Sequence, residues 1–87
     1  DIRLKAKANK DGVLLDWTST ADKKIEKILV YKSINNEPMR LYQQVSGSHF
    51  VDTATANEFG ITVKYRIKAV YEDGSTSNFS NEAKANN

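Results

Sequence analysis

The sequence predicts an all-β domain, either a sandwich or a small barrel of short antiparallel strands. Several segments alternate apolar and polar residues with a period of two, which is typical of half-buried strands. Turn dipeptides such as Asp11-Gly12 and Asp73-Gly74 separate these segments. Six or seven short strands at roughly ten-residue spacing, with no clear helix, favour this class. We expect one domain over residues 1–87, because a separate core usually needs roughly 100 residues.

The first two strands are predicted to pair as a hairpin. Over residues 2–9, apolar side chains alternate with arginine and lysine, so one face is buried and the basic side chains point outward. Asp11-Gly12 then predicts a tight turn, because glycine tolerates a positive φ. Residues 13–17 alternate in the same way and end at Trp17, which predicts the partner strand.

The segment from Ile25 to Ser33 is ambiguous from its pattern alone. Ile25, Ile28 and Leu29 have the spacing of one helical face, and a preceding serine or threonine can cap a helix. The run from Ile28 to Tyr31 is rich in residues that favour strands and lies between turn signals. Period and propensity nearly balance, and we favour the strand.

The remaining strands follow one another at turn signals. The clearest covers residues 63–69, where apolar residues alternate with lysine and arginine. A loop over residues 35–38 precedes it, because proline and paired asparagines interrupt regular structure. The shorter predicted strands are residues 41–45, 50–52 and 81–86.

Composition excludes several classes of function. The chain has no cysteine, so we expect no disulfide and no thiolate metal site or nucleophile. Its 13 basic and 11 acidic residues are scattered along the sequence, so we expect no nucleic-acid partner. The longest apolar run has four residues, against the roughly 20 that span a bilayer, so we expect no membrane insertion. The start at Asp1 shows no signal-peptide pattern and no initiator methionine, from which we expect a fragment of a larger protein.

A series of short motifs runs along the chain in a fixed order. They are Leu4-x-Ala6-x-Ala8, Val13-x-Leu15-x-Trp17, Phe50-Val51-Asp52-Thr53, Tyr65-Arg66-Ile67-Lys68-Ala69-Val70, and Asp73-Gly74 followed by Ser77-x-x-Ser80-Asn81-Glu82. In these motifs nearly the whole chain resembles a fibronectin type III domain, in particular its bacterial members. The resemblance implies an immunoglobulin-like β-sandwich of seven antiparallel strands in two sheets, with Trp17 as the core tryptophan.

This register, together with strand alternation, predicts the core. Its members are Leu4, Ala6, Val13, Leu15, Trp17, Ile28, Val30, Phe50, Val63, Tyr65, Ile67 and Ala69. Two departures from the family pattern stand out. Val63 occupies the position of the family's corner tyrosine, whose hydroxyl bonds to upstream backbone in related sandwiches. Thr55–Gly60 lacks the family's Leu-x-Pro-Gly turn.

No residue pattern predicts catalysis or a cofactor. His49 is the only histidine, so neither a histidine metal pair nor a catalytic triad can form. We expect Asp52 to bond local backbone after its strand, and Asp73-Gly74 to serve as a turn rather than as a calcium site. We therefore predict a protein that is not an enzyme and has no metal and no cofactor.

The candidate partner surface consists of aromatic residues outside the predicted core, some of which must face outward if strand alternation holds. A contiguous exposed set would mark a site for carbohydrate or protein. Its members are Tyr31, Tyr42, Tyr71 and Phe79.

The resemblance also implies a function. It predicts a non-catalytic spacer or docking module in a larger secreted or cell-surface protein, in particular a bacterial multimodular carbohydrate-active enzyme. Its partners would be neighbouring domains of the same polypeptide, and the isolated module would be monomeric. The alternative is a module that binds carbohydrate or protein through exposed aromatics and loops. Strand parity adds a geometric expectation, since the first and seventh strands of such a sandwich run in the same direction and place the termini at opposite poles.

Overall fold

In the computed structural model, residues 2–54 and 61–86 are described, and they form seven strands. The departure noted at Thr55–Gly60 lies outside the described residues. The strands are β1 (Ile2–Asn9), β2 (Gly12–Ser19), β3 (Ile25–Ile34), β4 (Arg40–Val45), β5 (His49–Asp52), β6 (Thr62–Tyr71) and β7 (Ala83–Asn86).

The strands form two sheets in which all neighbours pair antiparallel. One sheet has three strands in the order β1-β2-β5, and the other has four in the order β4-β3-β6-β7. The segment that was ambiguous from its pattern is strand β3, which pairs with β4 on one side and β6 on the other. Hydrogen bonds on both edges, which no local pattern can reveal, decide against the helix. The prediction of a seven-stranded sandwich is confirmed.

The core lies between the two sheets and follows the predicted register. Trp17 keeps 7% of its surface exposed, and Tyr65 is fully buried. Ala6 and Phe50 are half-buried and pack against the core, and the other predicted members are buried. Four further apolar residues are buried with them: Ile2, Tyr71, Ala83 and Ala85.

Gly12 begins β2 at a point where the end of β5 approaches closely. Its φ is +142°, and a Cβ built on it would lie 2.3 Å from the carbonyl oxygen of Asp52 at the end of β5. Any side chain at this position would therefore push β5 away from β2. The turn glycine predicted from the Asp11-Gly12 dipeptide thus also serves close packing within the three-stranded sheet.

The serine motif before β7 extends the edge of β6. Ser77 N and Ser80 N donate to the carbonyl oxygens of Ala69 and Ile67, at 2.9 and 2.8 Å. The two serine Oγ atoms accept hydrogen bonds from the amides of the same residues, at 2.8 and 2.9 Å. β7 itself pairs only with residues 62–65 of β6. The two serines therefore supply the hydrogen bonds that a longer β7 would make to the rest of this edge. The final strand is accordingly shorter than the predicted residues 81–86.

The described ends of the chain lie at opposite ends of β6. Ile2 lines the same surface depression as Tyr71, the last residue of β6. Asn86 pairs with Thr62, the first residue of β6. β6 has 10 residues, so its ends are about 30 Å apart at 3.3 Å per residue. This arrangement agrees with the parity argument, and the longest dimension of the molecule is 41 Å.

Candidate functional site: a buried polar cluster and an aromatic outer face

Asp52, at the end of β5, is the centre of a polar cluster inside the sandwich. Its side chain is fully buried, and both carboxylate oxygens accept hydrogen bonds. Tyr65 Oη donates to Oδ2 at 2.6 Å, and Lys32 Nζ lies 2.7 Å from the same oxygen. Tyr42 Oη donates to Oδ1 at 2.9 Å, and the amide of Ala54 donates to it at 3.1 Å. The predicted bond to local backbone is present, but it is one of four.

The cluster joins the two sheets. Asp52 belongs to the three-stranded sheet, while Lys32, Tyr42 and Tyr65 come from β3, β4 and β6 of the other sheet. Lys32 faces inward because it follows Ile28 and Val30 on the same side of β3, and it is 8% exposed. Its Nζ also lies 4.3 Å from the ring centroid of Tyr42, a cation–π contact.

The electrostatics of this cluster favour the carboxylate. Burial alone would raise the pKa of Asp52, but the hydrogen bonds from Lys32, Tyr65, Tyr42 and Ala54 outweigh it and hold the pKa below its ordinary value. Burial, together with the hydrogen bond and charge of Asp52, raises the pKa of Tyr42 to about 12. Asp52 is therefore charged and Tyr42 neutral at neutral pH.

This arrangement suits a structural role better than a chemical one. A general acid or base must reach a substrate, whereas Asp52 is 1% exposed and has both oxygens occupied. Val63, which occupies the position of the family's corner tyrosine, is buried and has no hydroxyl group. The hydroxyl group of Tyr65, two residues further along β6, donates to the Asp52 carboxylate.

Two of the four residues of the predicted partner surface meet on the outer face of the four-stranded sheet. The rings of Tyr31 and Phe79 pack edge to face, with centroids 4.9 Å apart. Phe79 is 44% exposed, and Lys68 Nζ lies 4.4 Å from its ring centroid. Tyr31 is half-buried.

The other two do not belong to this surface. Tyr42 points between the sheets toward Asp52. Tyr71 is only 6% exposed, so its assignment to an exposed surface was wrong. The reason is strand parity, since Tyr71 continues the inward series that contains Ile67 and Ala69.

A second aspartate with a lowered pKa lies in the turn between β6 and the serine motif. Asp73 Oδ1 accepts hydrogen bonds from the amide and hydroxyl of Ser75, at 2.8 and 2.5 Å. Lys23 Nζ lies 3.3 Å from Oδ2. The Ser75 hydrogen bonds, followed by Lys23, lower the pKa of Asp73 to about 2. This geometry is the turn chemistry that the Asp73-Gly74 dipeptide predicts.

The described residues contain neither a group of metal ligands nor a helix that could span a membrane. Within residues 2–54 and 61–86, no three residues among histidine, cysteine, aspartate and glutamate are grouped closely enough to hold a metal ion. Over the same ranges, no helix is long and apolar enough to span a membrane.

Comparison of the structure with solved structures identifies the fold. An Fn3-like protein from Clostridium thermocellum superposes with a TM-score of 0.75 at 22% identity, over 94% of this chain and 84% of that one. The chain has a fibronectin type III-like fold. A pectate lyase from Pectobacterium carotovorum superposes with a TM-score of 0.79 at 22% identity, over 97% of this chain.

The fibronectin type III-like module spans about a quarter of that pectate lyase, since the match covers 26% of the lyase chain. Neither a protein-family model nor a curated protein matches the sequence. At these identities the likeness concerns the fold alone.

Proposed function

We propose that this fibronectin type III-like module is a non-catalytic spacer in a larger secreted or cell-surface protein, in particular a bacterial carbohydrate-active enzyme. The observation that carries the proposal is the position of the described ends at opposite ends of β6. Leu4 bonds Asn81, and Ile2 and Asn86 lie two and five residues beyond that contact in opposite directions, so a domain inserted in this way holds its neighbours roughly 20–25 Å apart instead of side by side. Its partners are then the neighbouring domains of the same polypeptide.

Two further observations support this role. The buried cluster around Asp52 joins the sheets and stiffens the body that lies between the two ends. The match to a quarter of a pectate lyase chain supports the carbohydrate-active context, because a module of the same fold is part of that chain.

The absence of catalysis is part of the proposal. Both oxygens of the buried Asp52 carboxylate accept hydrogen bonds from other residues, and the exposed Asp73 is bound to its own turn. His49 is exposed on β5. We expect the purified module to leave polygalacturonate and other polysaccharides uncut. Cleavage that disappears on replacing any single acidic residue would contradict this part.

The spacer role is testable by distance measurement, because the chain has no native cysteine to interfere with labelling. Spin labels on Arg3→Cys and Lys84→Cys, both at exposed positions, report the separation of the two ends. We expect one narrow distribution that corresponds to a backbone separation of roughly 15–20 Å, because Leu4 bonds Asn81 and Lys84 lies three residues further along the chain. The matched control places the labels on Arg3→Cys and Thr18→Cys, which are paired neighbours in β1 and β2. A first pair as close as the control pair, or a broad distribution, would remove the geometric basis of the proposal.

The oligomeric state follows from the same reasoning. A spacer that acts by its length needs no self-association, so we expect a monomer in light scattering across a wide range of concentrations.

The second candidate function is ligand binding, which the exposed Phe79 and its neighbour Tyr31 favour.

A further inference from the structure

Three cations form a straight row on the outer face of the four-stranded sheet. Lys64, Arg66 and Lys68 alternate along β6 with buried core residues, so all three point away from the core. Residues two apart on a strand are separated by about 6.6 Å, so the row is about 13 Å long. We refer to these three residues as the cationic row.

Neighbouring strands add positive charge to this face. Lys84 of β7 pairs directly with Lys64, and Lys27 of β3 pairs with the outward-facing Val70 beyond the other end of the row. Among residues 2–54 and 61–86, the only salt bridge to the row is that of Glu82 with Arg66, at 3.7 Å. Both side chains of that pair are about 40% exposed, so the bridge is weak and exchangeable.

An apolar group lies beside the row, where Tyr31 pairs with Arg66 and Phe79 contacts Lys68. The Lys68 ammonium lies over the exposed ring of Phe79, and Tyr31 packs against that ring. Leu41, which pairs with Tyr31 across β3 and β4, is 52% exposed. The same face therefore presents cations in a line and an apolar surface beside them.

We propose that this face binds a linear carboxylated polysaccharide, a polyuronate, laid along β6. Its carboxylates would contact the cationic row, and the apolar face of one sugar ring would pack against Phe79. This inference rests on the carbohydrate context of the proposed function but not on the spacer role, which depends only on the distance between the chain ends.

The chemistry of the face favours a polyuronate over other polymers. A neutral polysaccharide would bring no counter-charge to the five cations of this face, of which Arg66 has a salt bridge, to Glu82. A single-stranded nucleic acid uses successive open aromatic rings for base stacking, whereas here Phe79 is the exposed ring and Tyr31 is half-buried. A polyuronate combines in each unit the carboxylate and the apolar ring face that this surface complements.

The expected binding is weak and sensitive to salt. Exposed ion pairs individually contribute little, but three cations within about 13 Å act together because the Debye length is about 10 Å at 0.1 M salt. Affinity should therefore fall steeply as ionic strength rises.

The test is an NMR titration of the whole module with oligogalacturonate at low ionic strength. In the wild type, we expect amide shifts concentrated on β6 and around Phe79. The triple variant Lys64→Gln/Arg66→Gln/Lys68→Gln should bind about tenfold more weakly, since three exposed pairs are together worth about one decade of affinity. The Phe79→Ala variant should weaken binding and abolish the shifts of Tyr31.

The chain offers a matched control on the opposite side of the sandwich. Arg3, Lys5 and Lys7 are three exposed cations that alternate along β1 in the same way. The variant Arg3→Gln/Lys5→Gln/Lys7→Gln removes the same charge and should change affinity by less than about twofold, within the range of a general field effect. Unfolding midpoints of both triples show whether each remains folded, and shift mapping on the wild type needs no variant at all.

Several outcomes would overturn the inference. They are no binding by the wild type, equal weakening by the two triples, shifts that map to β1, equal binding of neutral dextran, and tighter binding of a single-stranded DNA oligonucleotide. The spin-label distance between the chain ends is unaffected by all of them, so failure here and failure of the spacer role are separate results.

Discussion

Asp52 and Asp73 are two aspartates whose pKa values both lie below the ordinary range, for different physical reasons. Asp52 is buried between the sheets, where desolvation opposes ionisation and four donors overcome it. Asp73 is exposed in a turn, where Ser75 supplies the main hydrogen bonds and Lys23 adds a salt bridge. The partners of Asp52 come from three other strands, whereas those of Asp73 belong to its own turn and to Lys23.

The comparison shows that the direction of an aspartate's pKa shift does not indicate how much that aspartate contributes to the stability of the fold. Removing Asp52 leaves a buried ammonium and two tyrosine hydroxyls without their acceptor, and water cannot readily replace it. Removing Asp73 leaves groups that water solvates at once. Asp52 therefore bears on the stability of the whole sandwich, and Asp73 bears on the order of one turn.

Asp52→Ala is expected to cause the largest loss in the free energy of unfolding. Breaking a buried ion pair from one side typically costs about 3–5 kcal/mol, because the charge of Lys32 remains buried. For a domain of this size that is a large part of the free energy of unfolding. Urea unfolding followed by Trp17 fluorescence measures it. An Asp52→Ala variant as stable as the wild type would mean that the cluster is solvated and the contrast with Asp73 is lost.

The double variant Lys32→Met/Asp52→Leu sharpens the interpretation. If the cost of Asp52→Ala comes from the unpaired ammonium, removing both charges should recover most of the lost stability. A double variant less stable than Asp52→Ala would show that packing, and not charge, dominates this site.

Gly12→Ala should have the next largest effect, because it disturbs the backbone that carries Asp52. The new Cβ would meet the Asp52 carbonyl oxygen at 2.3 Å, and φ is +142°. We expect a loss of about 3 kcal/mol in urea unfolding. Gly74→Ala, in the turn of Asp73, is the control, since its φ is +88° but its surroundings are open. It should cost only about 1 kcal/mol, and equal losses would show that strain alone, without the clash, explains both.

The pH dependence of stability separates Asp52 from other acids. Its folded pKa is lowered, so its contribution is present above the unfolded pKa of about 3.9 and is lost as the pH falls through the folded pKa. The stability difference between the wild type and Asp52→Asn should therefore narrow below about pH 4. A difference that stays constant from pH 7 to pH 2 would show that Asp52 keeps its ordinary pKa.

Tyr42→Phe tests the same cluster at alkaline pH. The pKa of Tyr42 is raised from 10.0 to about 12, so its neutral form is favoured by folding, and this contribution is lost as the pH rises from 10 to 12. At neutral pH we expect a loss of about 1–2 kcal/mol for the hydrogen bond to the carboxylate. The difference from the wild type should narrow above pH 10. If it does not, the hydroxyl is solvent-exposed in solution.

Strand alternation predicts the inward direction of several residues in this cluster, but it does not predict that they contact one another. Parity places Lys32 inward after Ile28 and Val30, and it places Asp52 inward after Phe50. An inward lysine on one strand and an inward aspartate on another are a signal for a buried pair. The sequence could not show that β3 and β5 bring these two residues together, because that contact depends on how the sheets pack.

The aromatic residues also show what strand alternation can and cannot predict. Alternation along β6 already implied that Tyr71 is buried, so its assignment to a surface was avoidable. The contact between Tyr31 and Phe79 was not predictable, since Phe79 lies in an irregular segment with no parity. Ser77 and Ser80 hold that segment against β6 through their hydroxyls, a geometry that no periodic pattern expresses.

The smallest expected change is in the pKa of Asp73 when one of its partners is replaced. It shows which partner lowers that pKa most. The Ser75 hydrogen bonds contribute more than Lys23 does, so Ser75→Ala should raise the pKa from about 2 further than Lys23→Gln does. The backbone hydrogen bond of residue 75 remains in Ser75→Ala, so the pKa should stay below its ordinary value. NMR titration of the Asp73 carboxyl measures both shifts, and added salt should reduce only the Lys23 contribution, because an exposed charge is screened and a hydrogen bond within the turn is not. A larger rise in Lys23→Gln would mean that long-range charge controls this turn, and the contrast between the two aspartates would have to be redrawn.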